Sequence, residues 1–470
     1  MQNQLLMTRW PSRYLMALFL VLVLWACEDR SSTKTIDPEN GMMTIDLVDD
    51  MMTEEMPAIL NDMEMTACES VRRPLVLIHG FLASGDTWNR QIQRLEHTGS
   101  CREWVRAYDW NSLDMGGDHL TALDELIDQL IRESSYEQVD LVGHSAGGGI
   151  SYQYLEDLER AQKVHKYVHI ASFPSDRPAG RMGEIPTLNL WSSADTVVEG
   201  ADIPDATNRM LESLDHYLIA TSFDSFNIIS AFLYEDPPLS EDPLSLDAGA
   251  PTESIKLSGR LLSLGENLPN QDTLIKIWAL NEGSRTEELG EIQSDQQGYF
   301  ETFDLPAQGL YELMPNLEAQ ELPKVRYFLP RLQKDQPAIY LRTFPGANSL
   351  ANLIVRQLPQ SSEQASIVIF NAHRAFLAGQ DSIKLNGEEL LNEEVASAED
   401  TAIALFIFDA NADGEDGGTL PIFEGFPFLS FIDYPLIPES NANYEIDFNG
   451  QKVFLPRESS DQGTLLVIFP

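Results

Sequence analysis

From Pro74 onward the chain alternates short, unbroken apolar runs with longer amphipathic ones. PLVLIHG (74–80), WVRAYDW (104–110), VDLVGHS (139–145), YVHIAS (167–172) and TLNLWSS (187–193) are rich in Val, Ile and Leu, and helical spacing lies between them near 88–97 and 120–131. Strands that are apolar on both sides and separated by helices predict a parallel sheet covered on both faces. The pattern breaks after Leu233, where EDPPLSEDPLSLDAGAPTE (235–253) is acidic, proline-rich and without periodicity, as a linker is. Beyond it helical spacing nearly vanishes. Period-2 segments such as IKLSGRLLSL, LIKIWAL, GYFETFDL and GLYEL predict strands, followed by LPKVRYFLPRL, ASIVIFNA, AIALFIFDA and GTLLVIFP. The expected organisation is an α/β domain over 71–234, a linker over 235–253, a sandwich-like β module over 254–335 and a second β module over 336–470.

Length and charge narrow the function classes. At 470 residues with 43% hydrophobic positions, the chain can build more than one core. Seventy-four acidic against thirty-one basic residues give a net charge of −43, which repels phosphate backbones, so no nucleic-acid partner is expected. The N-terminus carries Arg9 and Arg13 ahead of an uncharged run from Tyr14 to Ala26, the layout of an export signal over 1–26 and too short for a membrane span of roughly 20 residues. The run ends in Leu24, Trp25, Ala26 and Cys27 and resembles a bacterial lipoprotein signal, although Trp25 stands where a small residue is usual. That resemblance implies lipidation of Cys27 and a membrane-anchored, periplasmic or cell-surface protein; secretion after ordinary cleavage is the alternative. Residues 27–70 then read as an acidic tether: Glu28 to Thr66 holds eleven acidic residues, two basic ones and no aromatic. Outside the cytoplasm the two remaining cysteines, Cys68 and Cys101, are expected to form a disulfide.

The chemistry is carried by Gly143, His144, Ser145, Ala146 and Gly147, a G-x-S-x-G directly after an apolar strand and directly before a helix-like run. There a strained strand-to-helix turn lifts a serine hydroxyl clear of the sheet, and flanking glycines remove side chains that would collide with backbone. A second signal is His79, Gly80 and Phe81 at the end of the first core strand. An acyl-transfer intermediate bears an oxyanion that needs two backbone N–H donors, here assigned to Phe81 and Ala146, with the His79 ring bracing the loop. The general base must follow the serine in a Ser, Asp, His order. Of His165, His169, His216 and His373, only His216 sits where the last loop over the sheet should be. The acid is assigned to Asp195, just after the TLNLWSS strand, with Asp176 on the preceding loop as the competitor.

Together HGF, GHSAGG, SSADTVV and His216 resemble the minimal secreted bacterial lipases of the α/β-hydrolase fold, over about 72–233. The resemblance implies a triacylglycerol lipase or carboxylesterase that forms an acyl-enzyme on Ser145, acts on a lipid or small ester and needs no cofactor. The appended β region also resembles the organisation of an archaeal lipase with an added β domain. The motifs identify acyl transfer rather than one substrate, so a thioesterase, amidase or acyltransferase remains open. So does a non-catalytic surface lipoprotein whose β region binds a partner. Leu82, Phe173 and Trp191, with Trp88, are expected around an acyl pocket. Asp409, Asn411, Asp413 and Gly414 begin like a calcium loop, but the twelfth position is Leu420 rather than a bidentate Glu, which favours a polar turn. Phe426 to Ile437 places four aromatics in twelve positions and is expected either to face the active-site mouth or to fill the β core.

Overall fold

The computed structural model describes residues 72–470 apart from Met115, 246–252, Glu321, 398–400, Pro427 and 440–441. The expected signal, Cys27, the tether and Cys68 lie outside the described residues; Cys101 is disulfide-bonded.

Six strands form the first sheet: β1 (Leu75–Ile78), β2 (Val105–Tyr108), β3 (Val139–His144), β4 (Val164–Ile170), β5 (Thr187–Ser192) and β6 (Thr207–Leu211). All are parallel, in the order β2-β1-β3-β4-β5-β6. The unbroken apolar run of β1 has a simple cause. Leu75 and Leu77 enter the core on one face while Val76 and Ile78 enter the core on the other, so neither face can be polar. The first face is covered by α1 (Asn89–His97) and α4 (Phe223–Tyr234) through Ile92, Leu95, Phe226 and Ile229. The second is covered by α2 (His119–Ser134) and α3 (Ala146–Leu155) through Leu123, Ile127, Ile150 and Tyr154. Asp118 caps α2 by accepting from the Thr121 N–H, and Ser222 caps α4 by accepting from the Ser225 N–H.

Among the described residues the C-terminal half holds three further sheets. One is three-stranded, from Tyr299–Pro306, Ser254–Ser263 and Gln336–Thr343. An eight-stranded mixed sheet runs from Leu429–Asp433 through Ala404–Phe408, Ile367–Asn371, Thr464–Phe469, Val325–Leu329, Leu310–Pro315 and Leu274–Asn281 to Ser284–Gln293. A four-stranded sheet packs under it through Ile383, Ile446 and Val453. The first two sheets each take strands from both sides of residue 335, so the expected division into modules 254–335 and 336–470 does not coincide with a break. Strand Thr464–Phe469, inserted between Val325–Leu329 and Ile367–Asn371, ties the two segments together.

Nor does the acidic stretch after α4 behave as a free linker over its described part. Asp242 accepts two hydrogen bonds from Arg94, at 3.0 and 2.7 Å, and Asp236 accepts one from Arg72 at 2.5 Å. The two halves share a core, since Leu262, Ala338 and Tyr340 belong to the apolar cluster under α1 and α4.

Candidate active site

Ser145 follows β3 and precedes α3, with φ 53° and ψ −123°. A non-glycine residue held there costs about 1 to 3 kcal/mol of backbone strain, sustained only because the surroundings over-determine it. They do so through close packing. A Cβ on Gly147 would lie 2.6 Å from the Ile78 and His79 carbonyl oxygens, and one on Gly143 would lie 2.5 Å from Ser151 Oγ. The Ser145 N–H donates to the Ile170 carbonyl at 2.9 Å, which pins the elbow to β4.

The hydroxyl donates to His216 Nε2 at 2.9 Å, and His216 Nδ1 donates to Asp195 Oδ2 at 2.8 Å. His216 is 1% exposed. Asp195 Oδ1 is occupied by the Val197 and Val198 N–H groups at 2.8 and 3.0 Å. Burial pushes the Asp195 carboxyl up, but the His216 hydrogen bond and charge and those two N–H donors outweigh it and hold its pKa below the ordinary value. The carboxylate therefore stays ionised. Asp176 lies elsewhere: its carboxylate is 83% exposed and paired with Arg177. Asp215 turns away from the ring and accepts from the Tyr217 and Leu218 N–H groups, starting the helical turn Leu218–Thr221.

His144 has a role not read from its motif position. Its Nε2 donates to the His216 backbone carbonyl at 2.8 Å, and the two rings lie 4.9 Å apart. Burial, reinforced by the neighbouring His216 charge, lowers its pKa to about 3, so it remains a neutral spacer beside His216. His79 braces its own loop, donating from Nδ1 to the Gly80 carbonyl at 2.8 Å and accepting the Trp110 N–H on Nε2 at 3.2 Å. Phe81 borders the niche at Ser145, and Ala146 opens α3, where the first backbone N–H groups have no intrahelical acceptor.

The niche itself differs from the expected pocket. Phe81, Ala83, Tyr217, Ile403 and Phe428 surround Ser145 and His216, and neither Leu82, Phe173, Trp191 nor Trp88 lines it. Phe173 is 53% exposed, Trp191 donates to Asp202, Trp88 is buried in the core, and Leu82 packs toward Gly265. Instead the Phe428 ring lies parallel to the His216 ring at 6.1 Å between centroids. Phe428 sits in the aromatic segment 426–437, whose Ile432 and Leu436 fill the β core, so that segment serves both destinations weighed for it. The calcium-like motif folds as a turn: Asp409 accepts from the Asp413 and Gly414 N–H groups, and Asn411 donates to Asp413. Among the described residues no group of acidic, His or Cys side chains is arranged to hold a metal ion.

A family profile described as alpha/beta hydrolase fold matches residues 73–244. The chain is similar to a predicted CIB-like hydrolase from Thermoplasma acidophilum, at 19% identity over 36% of this chain and 89% of that one, with a TM-score of 0.29. It is also similar to a bromoperoxidase from Bacillus anthracis (19% identity, 35% and 92% coverage, TM-score 0.28) and to the mature lipase BlEst2 from Bacillus licheniformis (15%, 35% and 93%, 0.28). Residues 73–244 have the α/β-hydrolase fold, followed by a region rich in β-strands.

Proposed function

We propose that the protein is a serine hydrolase that cleaves carboxylic esters through an acyl-enzyme on Ser145. The observation that carries this reading is the unbroken chain of hydrogen bonds from Ser145 Oγ through His216 to Asp195, at 2.9 and 2.8 Å, placed at a strained elbow. In that arrangement Ser145 Oγ attacks the ester carbonyl carbon while His216 Nε2 takes the hydroxyl proton. The carbonyl oxygen becomes an oxyanion, to be met by the Phe81 and Ala146 N–H groups. Imidazolium, stabilised by the ionised Asp195, returns the proton to the departing alkoxide and releases an alcohol. Water then attacks the acyl-enzyme with His216 again as base, which frees the carboxylic acid and restores the serine.

The apolar surroundings of the nucleophile, Phe81, Ile403 and Phe428, favour a hydrocarbon acyl group, and lipid esters are the proposed substrate class. Anchoring through Cys27 would place the enzyme at a membrane. The test is hydrolysis of p-nitrophenyl esters from acetate to palmitate, with Ser145→Ala as control. Ser145→Ala should fall to background at unchanged folding; retention of more than a few per cent of wild-type turnover would remove Ser145 as nucleophile.

A further inference from the structure

The segment that bears Phe81 is held from the C-terminal half. The turn after strand Ser254–Ser263 enters the hydrolase half, and a Cβ on Gly265 would come within 3.5 Å of Leu82 Cδ2. Two residues on, Asn267 is 6% exposed and has a φ of 55°, in the left-handed region that Asn tolerates. Its Nδ2 donates to the Ala83 carbonyl at 2.9 Å and the Trp110 carbonyl at 3.0 Å, and lies 3.2 Å from His79 Nε2. Two of these partners can only accept, so the amide must present its nitrogen here. His79 Nε2 already accepts the Trp110 N–H, and the Trp110 indole N–H donates to the His79 carbonyl at 3.0 Å, so with both amide hydrogens on carbonyls Asn267 reaches His79 through Trp110. One side chain 188 residues away in sequence therefore holds the Ala83 end of the segment 79–83 directly and the His79 end by way of Trp110.

We infer that Asn267 is a positioning residue for the oxyanion donors, so that the C-terminal half completes the catalytic site. The inference rests on the ester-hydrolase reading. Asn267 does not reach the reacting atoms; it acts through the Ala83 carbonyl and through Trp110, which holds the His79 ring and carbonyl, and Phe81 lies between those two points. Neighbouring contacts come from the same half. Arg342 donates to Ser84 Oγ at 2.7 Å and to both Asp86 oxygens at 2.8 and 2.7 Å. The Gly85 N–H donates to Asp109, which Arg260 and Tyr340 hold in place.

The test uses the full chain and Asn267→Gly, because glycine keeps the left-handed backbone and removes only the amide. The control is Gln336→Ala, which cuts another buried contact between the halves, from Asn89 to Gln336, without touching 79–86. Loss of a whole oxyanion donor costs about 10²- to 10³-fold in kcat. A misplaced donor should lose about tenfold, with KM within about twofold, and affinity for an alkyl boronic acid that forms a tetrahedral adduct on Ser145 should fall in the same proportion. Gln336→Ala should lower Tm and leave kcat and boronate affinity within about twofold. Should Asn267→Gly fail to fold, Asn267→Asp carries the same comparison, since a carboxylate would face two carbonyl oxygens. A folded Asn267 variant with wild-type kcat and boronate affinity would overturn the inference alone, as would an equal loss in Gln336→Ala. A wild type without ester hydrolysis would overturn the functional reading as well.

Discussion

The two arms of the site are built differently. The proposed arm of nucleophile, base and acid is held within the hydrolase half: Asp195 by Val197 and Val198, His216 by His144, Ser145 by Ile170. The proposed oxyanion arm is held by Asn267, Arg342 and, through Asp109, Arg260 and Tyr340, all from beyond the acidic stretch. The cover over His216, Ile403 and Phe428, comes from there too. If the proposed function holds, proton transfer would depend on the hydrolase half alone, whereas oxyanion stabilisation and access would depend on a second core being folded. On the proposed reading the C-terminal half would be part of the enzyme rather than a spacer.

The largest effect expected from this contrast is on the local arm. Asp195→Asn should lower kcat by about 10⁴, because the shape remains but the wrong His216 tautomer is favoured, while Asp176→Asn should stay near wild type. Steady-state kinetics on a butyrate ester would decide, and comparable losses in both would dissolve the assignment. Next, Arg342→Met leaves the Asp86 carboxylate buried without its partner, which should destabilise the protein by about 3 to 5 kcal/mol in urea unfolding. A change under 1 kcal/mol would mean that the halves are joined less firmly than the contacts imply. The smallest effect concerns access: Phe428→Ala should raise kcat/KM several-fold for decanoate over acetate esters, and unchanged selectivity would make Phe428 a passive wall.

The same contrast explains what the sequence disclosed. The parallel sheet was legible because strands buried on both faces, such as Leu75–Ile78, must be apolar throughout, and the elbow because its glycines are required locally. Edge strand β6, TNRML, carries no such signal, being largely exposed and polar. Asn267 lies in Glu-Asn-Leu-Pro-Asn, which reads as an ordinary turn; its partners are set by a chain reversal that no local pattern encodes. Phe173, on the loop after β4, and Trp191, near the C-terminal end of β5, are expected at the pocket by their position along the chain, yet the end of a strand or the loop after it can aim a ring at solvent or at a neighbour as readily as at the nucleophile. Likewise the expected boundary near 336 falls where LPKVRYFLPRL leads into the later strands, but strand pairing across it is decided by tertiary contacts.

The central claim, that Ser145 is the covalent nucleophile activated by His216, is tested most directly by stoichiometric reaction with an alkyl phosphonate ester followed by peptide mass mapping. The account predicts one phosphonyl group per chain, on the peptide containing Ser145, with activity lost in proportion and no labelling in His216→Ala. Full activity in an unlabelled chain, or a label on any other residue with Ser145 untouched, would contradict it.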